Sequence, residues 1–546
     1  MTEAPPRTGA SHWWPFAVVA AVWLVVATQQ ITLPGVYMDA VDPDYLVVRL
    51  LNRHAQPIAA WLLGGNYLFG KAPVLISYYH GSQQVWLGLP FFALFGTTVT
   101  GLRLTHAMFA LAILSAMYAV LIRGSLKPWQ AALACAALAV DPGFSYAFRT
   151  QSYITLAPTA WLFMSLYALQ RGAAGDSASR RWLVAGDVFH GLAIVGYFIY
   201  AFYLPAVFLA LWMWHRAGSA APAGMRTWLA PWLIGLAMGG IFYPIGYGLT
   251  VWNTGGVSQA WAQFQQTQQA LGAFSTQISF PDRIAHLGTM TGAVVGNWFH
   301  HQLIFGEYAP LPGTMPKVWL LIAAPAALWA VAEVRGRASV LLRVLVALPV
   351  SFAAVAMVFG TRLQGHHFVP LLPLAYAALA VALGAPVHAP ARRNVFPAFA
   401  PAFAALVALS VWGQAIEAQR LAETRGVGLY SDAINRMADD LNARNPKPFV
   451  LFPDWGLSMP AAFLTHGTVG MDSVVDLPTL RRKLCAGHDV AFAAIDGDRA
   501  ARIGAWQAGL RWDAPTVTRY AQADGKVLFE LATFAGRREA PACADR

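Results

Sequence analysis

Apolar runs of about 17–25 residues, the length that crosses a bilayer as a helix, recur along the chain between short polar segments. They lie near 13–31, 102–122, 128–146, 152–170, 183–201, 203–215, 228–250, 317–334, 339–360, 367–385 and 395–415. The run at 203–215 is short, and Pro205 weakens it by removing a helix hydrogen bond. A further apolar stretch, Val85–Val99, is expected to lie at the membrane surface or to re-enter as a hairpin. The pattern predicts an all-α polytopic membrane protein with about 11–13 spans.

The texture changes after residue 416. "KPFVLFPDWG" and "DVAFAAIDGD" read as short buried strands, and "VTRYAQADGKVLFELATF" as a hairpin turning at Asp524-Gly525. Helix-like pieces such as Ser431–Arg444 lie between them. A soluble α/β domain is therefore expected over 417–546, after a membrane module over 1–416 with large loops at 32–101 and 251–316.

Composition agrees with the pattern: 57% of residues are hydrophobic and only 12% charged, too little polar surface for a soluble chain of 546 residues. The first run lacks the cleavage pattern of a signal peptide and is expected to remain as an anchor. The net charge of +11 suggests nucleic acid at first sight. A membrane protein explains it better, because Lys and Arg collect in cytoplasmic loops. With the N-terminus in the cytoplasm, Arg123 and Lys127, Arg171, Arg180 and Arg181, His215, Arg216 and Arg226, Arg335 and Arg337, and Arg392 and Arg393 all fall on that side. The 32–101 and 251–316 loops and the C-terminal domain then face outward. Two of the three cysteines, Cys485 and Cys543, lie in that domain; in an oxidising compartment they either pair or remain two thiols. Cys135 lies in a span and reads as packing.

Acidic residues are scarce, at 26 in the chain, yet "YMDAVDPDYLVVR" (37–49) places Asp39, Asp42 and Asp44 directly after the first run. Aspartates that merely solvate a turn are one reading, since Asp-Pro opens turns. The other is chemistry: amphipathic pieces at Leu46–Leu51 and Ile58–Leu63 would keep this loop near the bilayer, where a carboxylate cluster suits work on a lipid-linked substrate. The stretch "SQAWAQFQQTQQALGAFSTQ" (258–277) reads as an amphipathic surface helix, either an anchor or a gate. No Gly-rich nucleotide loop, zinc-type Cys/His spacing or serine-nucleophile motif is present.

The order of these features resembles the GT-C glycosyltransferases: a first span, a long outer loop opening with Asp, many spans and an outer C-terminal domain. "DPDYLVVR" is similar to the first-loop signature of oligosaccharyltransferase catalytic subunits, with one extra residue before Arg49. "FGTTVTGLRLTHAMFALAILSAMYAVLIRG" and "AVDPGFSYAFRTQSYITL" resemble segments of protein O-mannosyltransferases and lipid A aminoarabinose transferases. The likeness covers residues 13–215 by motif and the remainder by architecture. One departure is the second outer loop, "FRTQSY", which lacks the acidic residue of many relatives.

The resemblance implies a GT-C fold and an inverting transferase that moves a sugar from a polyprenyl-phosphate carrier to a periplasmic lipid, glycan or protein. An acceptor must lose a proton as it attacks, and a carboxylate can take it. Asp42 and Asp39 are the candidates, with Asp44 close behind. The leaving phosphate needs donors or cations set in advance. Arg149, Arg362 and Arg49 are candidates, each with snorkelling to ordinary headgroups as the alternative. His366 and His367, in "TRLQGHHFVPLLP", are read as phosphate contacts, and the adjacent pair His300-His301 as structural. A divalent cation such as Mg or Mn is left open, because the family has members of both kinds. The implied location is the bacterial inner membrane. A flippase or transporter of lipid-linked sugar and a non-catalytic membrane subunit are the alternatives; a transporter would place ionisable residues within its spans, where few are visible.

Overall fold

The computed structural model describes residues 12–56, 64–150, 156–173, 179–218, 226–270, 279–307, 311, 313–359, 363–384, 396–454, 456–473, 475–495, 497–540 and 543. Each predicted apolar run contains helix. Among the described residues six helices are long and apolar enough to cross a membrane, or up to eight if two bent pairs each count as one span. The protein is a multi-pass helical membrane protein with a C-terminal α/β domain.

The first helix, α1 (Trp14–Thr28), packs against α5 (Val99–Arg123), where the Trp23 indole N–H donates to the Ala107 carbonyl at 2.8 Å. Between them the chain forms α2 (Met38–Val41), α3 (Val47–Leu51), three antiparallel strands and α4. The strands β1 (Gly64–Leu68), β2 (Ala72–Ser77) and β3 (His80–Gly81) were not foreseen. They are short, and their register shifts between Asn66 and Tyr67, so no alternating pattern advertises them. The helix α4 (Gln83–Phe95) overlaps the predicted re-entrant or surface stretch, beginning two residues before it. At 13 residues it is about 20 Å long, too short for a hydrocarbon core of about 30 Å.

The third span is broken. The helices α6 (Pro128–Ala139) and α7–α8 (Pro142–Ser145 and Ala147–Thr150) meet at 66°. Proline disfavours helix at the residue before it, so Asp141 adopts extended backbone and caps α7 by accepting the Gly143 amide at 2.8 Å. The Asp141 carboxylate is fully buried, with Lys317 Nζ at 2.6 Å and the Tyr376 hydroxyl at 2.7 Å. Lys317 also donates to Asn297 Oδ1 at 2.6 Å. A buried ion pair this well bonded is costly to break, because the surviving charge would be stranded.

The spans hold more ionisable groups than their hydropathy suggests. Besides Asp141 and Lys317, Asp187 is fully buried in the helix Ser179–Gly196, and neither of its oxygens has a hydrogen-bond partner among the described residues. Glu417 is fully buried in the last membrane helix, Phe396–Thr424. It accepts from His301 Nδ1 at 2.8 Å, while Arg420 bonds His301 Nε2 at 2.9 Å and pairs with Glu307. This network is what His300-His301 serve; His300 stacks flat on Tyr146 and lies 3.7 Å from Glu417.

The C-terminal domain holds a five-stranded sheet in the order β5-β4-β6-β8-β7, formed by β4 (Phe449–Leu451), β5 (Met471–Asp472), β6 (Val490–Ala494), β7 (Thr516–Ala521) and β8 (Val527–Phe534). Strands β4, β5 and β6 are parallel and β6, β8 and β7 antiparallel, with the expected turn at Asp524-Gly525. Cys485 and Cys543 are joined in a disulfide. The domain shares one apolar core with the first loop: Val36, Val41, Tyr45 and Val47 pack with Tyr430, Met437, Phe452 and Phe463. The loop's apolar positions thus face the sheet domain, where the sequence suggested the bilayer. At Gly456, with φ +94°, a Cβ would meet the Tyr37 ring at 2.2 Å, so only glycine lets the two approach.

Replacing Lys317 with Ala is expected to destabilise the protein by about 3–5 kcal/mol, read as a lower unfolding midpoint in detergent. The double change Asp141→Asn with Lys317→Met should recover part of that loss, because no charge is then stranded.

Candidate active site

Two buried guanidiniums set the start of the first loop. Arg149, on α8, donates to the carbonyls of Gln29 at 2.5 Å and Leu33 at 3.0 Å, and more distantly to those of Ala27 and Gln30 at 3.4 Å. Arg103, on α5, donates to Leu33 at 2.5 Å and Pro34 at 2.9 Å. The last carbonyls of a helix have no intrahelical partner, and cations are favoured there. Arg149 therefore serves the end of α1 in this structure.

From that fixed start the chain reaches the aspartates. Asp39 sits half-buried in the first turn of α2, and Asp42 follows it with 6% of its surface exposed. Burial raises the Asp42 carboxyl well above its usual value, and the charges of Asp39 and Asp44 push it the same way. His80, on β3, places Nδ1 4.0 Å from Asp42 Oδ2, and burial pushes its imidazole down to about 3. Asp44 is fully buried and turned away, bonded to His106 and Gln84.

The β2–β3 turn is tied to a second region. The Tyr79 carbonyl accepts the Phe198 amide and the Tyr243 hydroxyl, each at 2.9 Å. This brings Tyr197, at the break after Ser179–Gly196, to 5.9 Å from the His80 ring, where its hydroxyl feels both Asp39 and Asp42. The Tyr197 hydroxyl lies 3.2 Å from His367 Nε2, and the His366 and His367 rings are 4.1 Å apart. The first-loop carboxylates, His80, Tyr197 and the His366-His367 pair therefore form one cluster, drawn from three separate parts of the chain.

Of the other candidates, Arg49 lies over the Tyr67 ring at 5.3 Å, and the Tyr67 hydroxyl feels both Arg49 and Asp42. Arg362 lies outside the described residues, as do Ile58–Leu63 of the first loop and the end of the 258–277 stretch. The described part of the latter is a helix, Val257–Ala270, docked on the β2–β3 turn through Tyr78, which bonds Gln263 at 3.1 Å and meets Phe264 edge-on. Among the described residues no three His, Cys, Asp or Glu side chains are grouped to hold a metal ion. His80, Tyr197 and His106 escaped the sequence reading; no motif or spacing marks any of them.

The two titrating groups at the centre act on stability in opposite senses. His80 is held neutral, so its contribution is lost as the pH falls from about 6.5, its ordinary value, toward about 3. The raised Asp42 carboxyl contributes stability that is full below 3.8 and lost as the pH rises through its folded value. His80→Asn is therefore expected to flatten the acid-side loss of the unfolding midpoint. Asp42→Asn should raise that midpoint at pH 7. Thermal unfolding across pH in detergent checks both.

No protein-family model and no curated protein matches the sequence. Solved structures do. The chain is similar to ArnT from Cupriavidus metallidurans bound to undecaprenyl phosphate, with 14% identity, a TM-score of 0.52, and 98% of this chain and 100% of that one covered. The apo form of ArnT gives 12% identity and a TM-score of 0.55 over 97% and 99%. An Archaeoglobus fulgidus oligosaccharyltransferase, in a complex with Zn and sulfate, gives 12% identity and a TM-score of 0.48 over 94% and 72%. At these identities the likeness is one of fold. The chain has the fold of the GT-C glycosyltransferases.

Proposed function

We propose that the protein is an inverting glycosyltransferase of the bacterial inner membrane that moves a sugar from a polyprenyl-phosphate carrier to a periplasmic acceptor. The observation that carries the reading is the cluster itself: a buried carboxylate with a raised pKa, Asp42, beside hydrogen-bonding groups suited to a phosphate, Tyr197, His366 and His367. In a single in-line displacement the acceptor's oxygen or nitrogen attacks the anomeric carbon, and the bond from that carbon to the phosphate oxygen breaks. Asp42 takes the acceptor's proton. Its place in the cluster, with Oδ2 4.0 Å from His80 Nδ1, is what recommends it for this role. Tyr197 and His367 donate to the departing phosphate as its charge develops. Arg49 and Arg362 are the cations assigned to the carrier's headgroup. Asp39 assists from the half-buried edge, as a second base or as a ligand for a divalent cation.

The outward orientation is supported by the Cys485–Cys543 disulfide, since such bonds persist in oxidising compartments. The basic loops at the opposite ends of the spans support it too. The acceptor is an extracytoplasmic lipid, glycan or protein.

The test is transfer by purified protein from radiolabelled polyprenyl-phosphate sugars to a membrane extract. Asp42→Asn is expected to lower kcat at least about a hundredfold, and Asp39→Asn to a lesser degree. Activity unchanged in both variants would reject the assignment, and EDTA decides the metal. One observation favours a second reading, carriage of the lipid-linked sugar across the membrane. Asp187 is a buried carboxyl within a span, where ionisable groups commonly mark a pathway. If that reading holds, Asp187→Asn abolishes carriage in proteoliposomes and wild type transfers nothing. Under the transferase reading Asp187→Asn leaves transfer intact.

A further inference from the structure

The three first-loop aspartates look alike in sequence and occupy different surroundings. Asp42 faces His80 and the tyrosine–histidine cluster. Asp44, two residues on, is fully buried and points the other way. Its Oδ2 shares a hydrogen bond with His106 Nε2 on α5 at 2.7 Å and accepts from Gln84 Nε2 on α4 at 2.9 Å. His106 and Gln84 are themselves buried, at 1% and 2% exposed. The other His106 nitrogen, Nδ1, faces the Phe148 carbonyl on α8 at 3.2 Å. Asp44 Oδ1 is enclosed and has no hydrogen-bond partner among the described residues.

Both neighbours of the His106 ring are acceptors, so two protons are needed to satisfy the three groups. Either the ring carries both beside a carboxylate, or it keeps one at Nδ1 and Asp44 holds the other. In both arrangements the pair carries no net charge, which is what permits full burial. A reacting carboxylate must come within about 2.6–3.2 Å of the proton it takes. One oxygen of Asp44 is already used twice, and the other opens onto no exposed surface.

We propose that Asp44, His106 and Gln84 are positioning residues: a charge-neutral clamp that ties the first loop to α4, α5 and α8 and thereby fixes where Asp42 points. The clamp explains how two adjacent acidic positions can serve one site without both being reactive. It rests on the transferase reading for its kinetic consequence only, since the geometric consequence can be measured without substrate.

The test compares Asp44→Asn and Asp44→Ala in the full-length protein in nanodiscs, with Asp42→Asn alongside. An asparagine amide keeps hydrogen-bonding groups for both His106 and Gln84, so Asp44→Asn is expected to keep kcat within about tenfold, whereas Asp44→Ala should lose about a hundredfold with KM for the donor unmoved. The second readout is amide hydrogen exchange over residues 37–49, expected to rise in Asp44→Ala and to stay at the wild-type level in Asp44→Asn. If Asp44→Ala does not fold, Gln84→Ala, which removes one of the two bonds, replaces it and should show a smaller change in the same direction. A loss in Asp44→Asn as large as that in Asp42→Asn overturns the proposal, because the charge of Asp44 would then be needed by the chemistry. Unchanged exchange and unchanged kcat in both the alanine variants overturn it as well. If wild type transfers no sugar, the transferase reading fails alone, and the exchange measurement still decides the clamp.

Discussion

Everything at the candidate site depends on where the first loop leaves the membrane, and two arginines settle that. Arg103 and Arg149 come from different helices and meet at the Leu33 carbonyl, from which Arg149 reaches back to Gln29 at the end of α1 and Arg103 forward to Pro34. Burying two like charges side by side is costly. Charge-assisted bonds to several otherwise orphaned carbonyls offset that cost. The exit of α1 is thereby locked to α5 and to the short helix beyond the break at Asp141. The break has its own lock in Lys317, Asn297 and Tyr376. Polar bonds define the directions of these segments, and the apolar packing around them fills space.

The site divides into two halves that meet where His80 Nδ1 lies 4.0 Å from Asp42 Oδ2. One half is the first loop, with Asp39 and Asp42. The other is built from the turn at Tyr79-His80, the break at Tyr197 and the segment carrying His366-His367. Tyrosine hydroxyls and backbone carbonyls stitch the second half together, as where Tyr243 reaches the carbonyls of Tyr79 and Ile194. Neutral donors bonded to one another suit a phosphate that gains charge only as it departs, because they are already oriented and need no reorganisation.

How far the sequence could be read follows from the physics of each signal. The membrane helices were legible because an apolar run of some twenty residues has few other uses. The Asp524-Gly525 hairpin was legible because a turn with positive φ selects its residues. Strands β1–β3 were not, being short and shifted in register. Asp39, Asp42, His366 and His367 stand out as rare polar groups at membrane boundaries, but nothing local says that they meet. Their meeting is made by Tyr197 and His80, which sit in aromatic runs where tyrosine and histidine usually just pack. Arg149 was legible as a cation at a helix end and illegible in its task, because its partners are backbone carbonyls, which every residue has. The shared core between the first loop and the sheet domain was hidden for a similar reason: apolar loop residues look the same whether they face lipid or protein.

That shared core has a consequence for the order in which the molecule is made. Val36 to Val48 emerge among the first segments of the chain, and their packing partners, from Tyr430 to Leu531, among the last. When the last membrane helix has been made, the first loop already has Val85, Phe92 and Leu102 of α4 and α5 to pack on, but still lacks the sheet-domain half of its core. The loop's core is therefore completed only when the sheet domain has been made. A chain stopped short of that domain leaves Val36, Val41, Tyr45 and Val47 without half of their apolar cover.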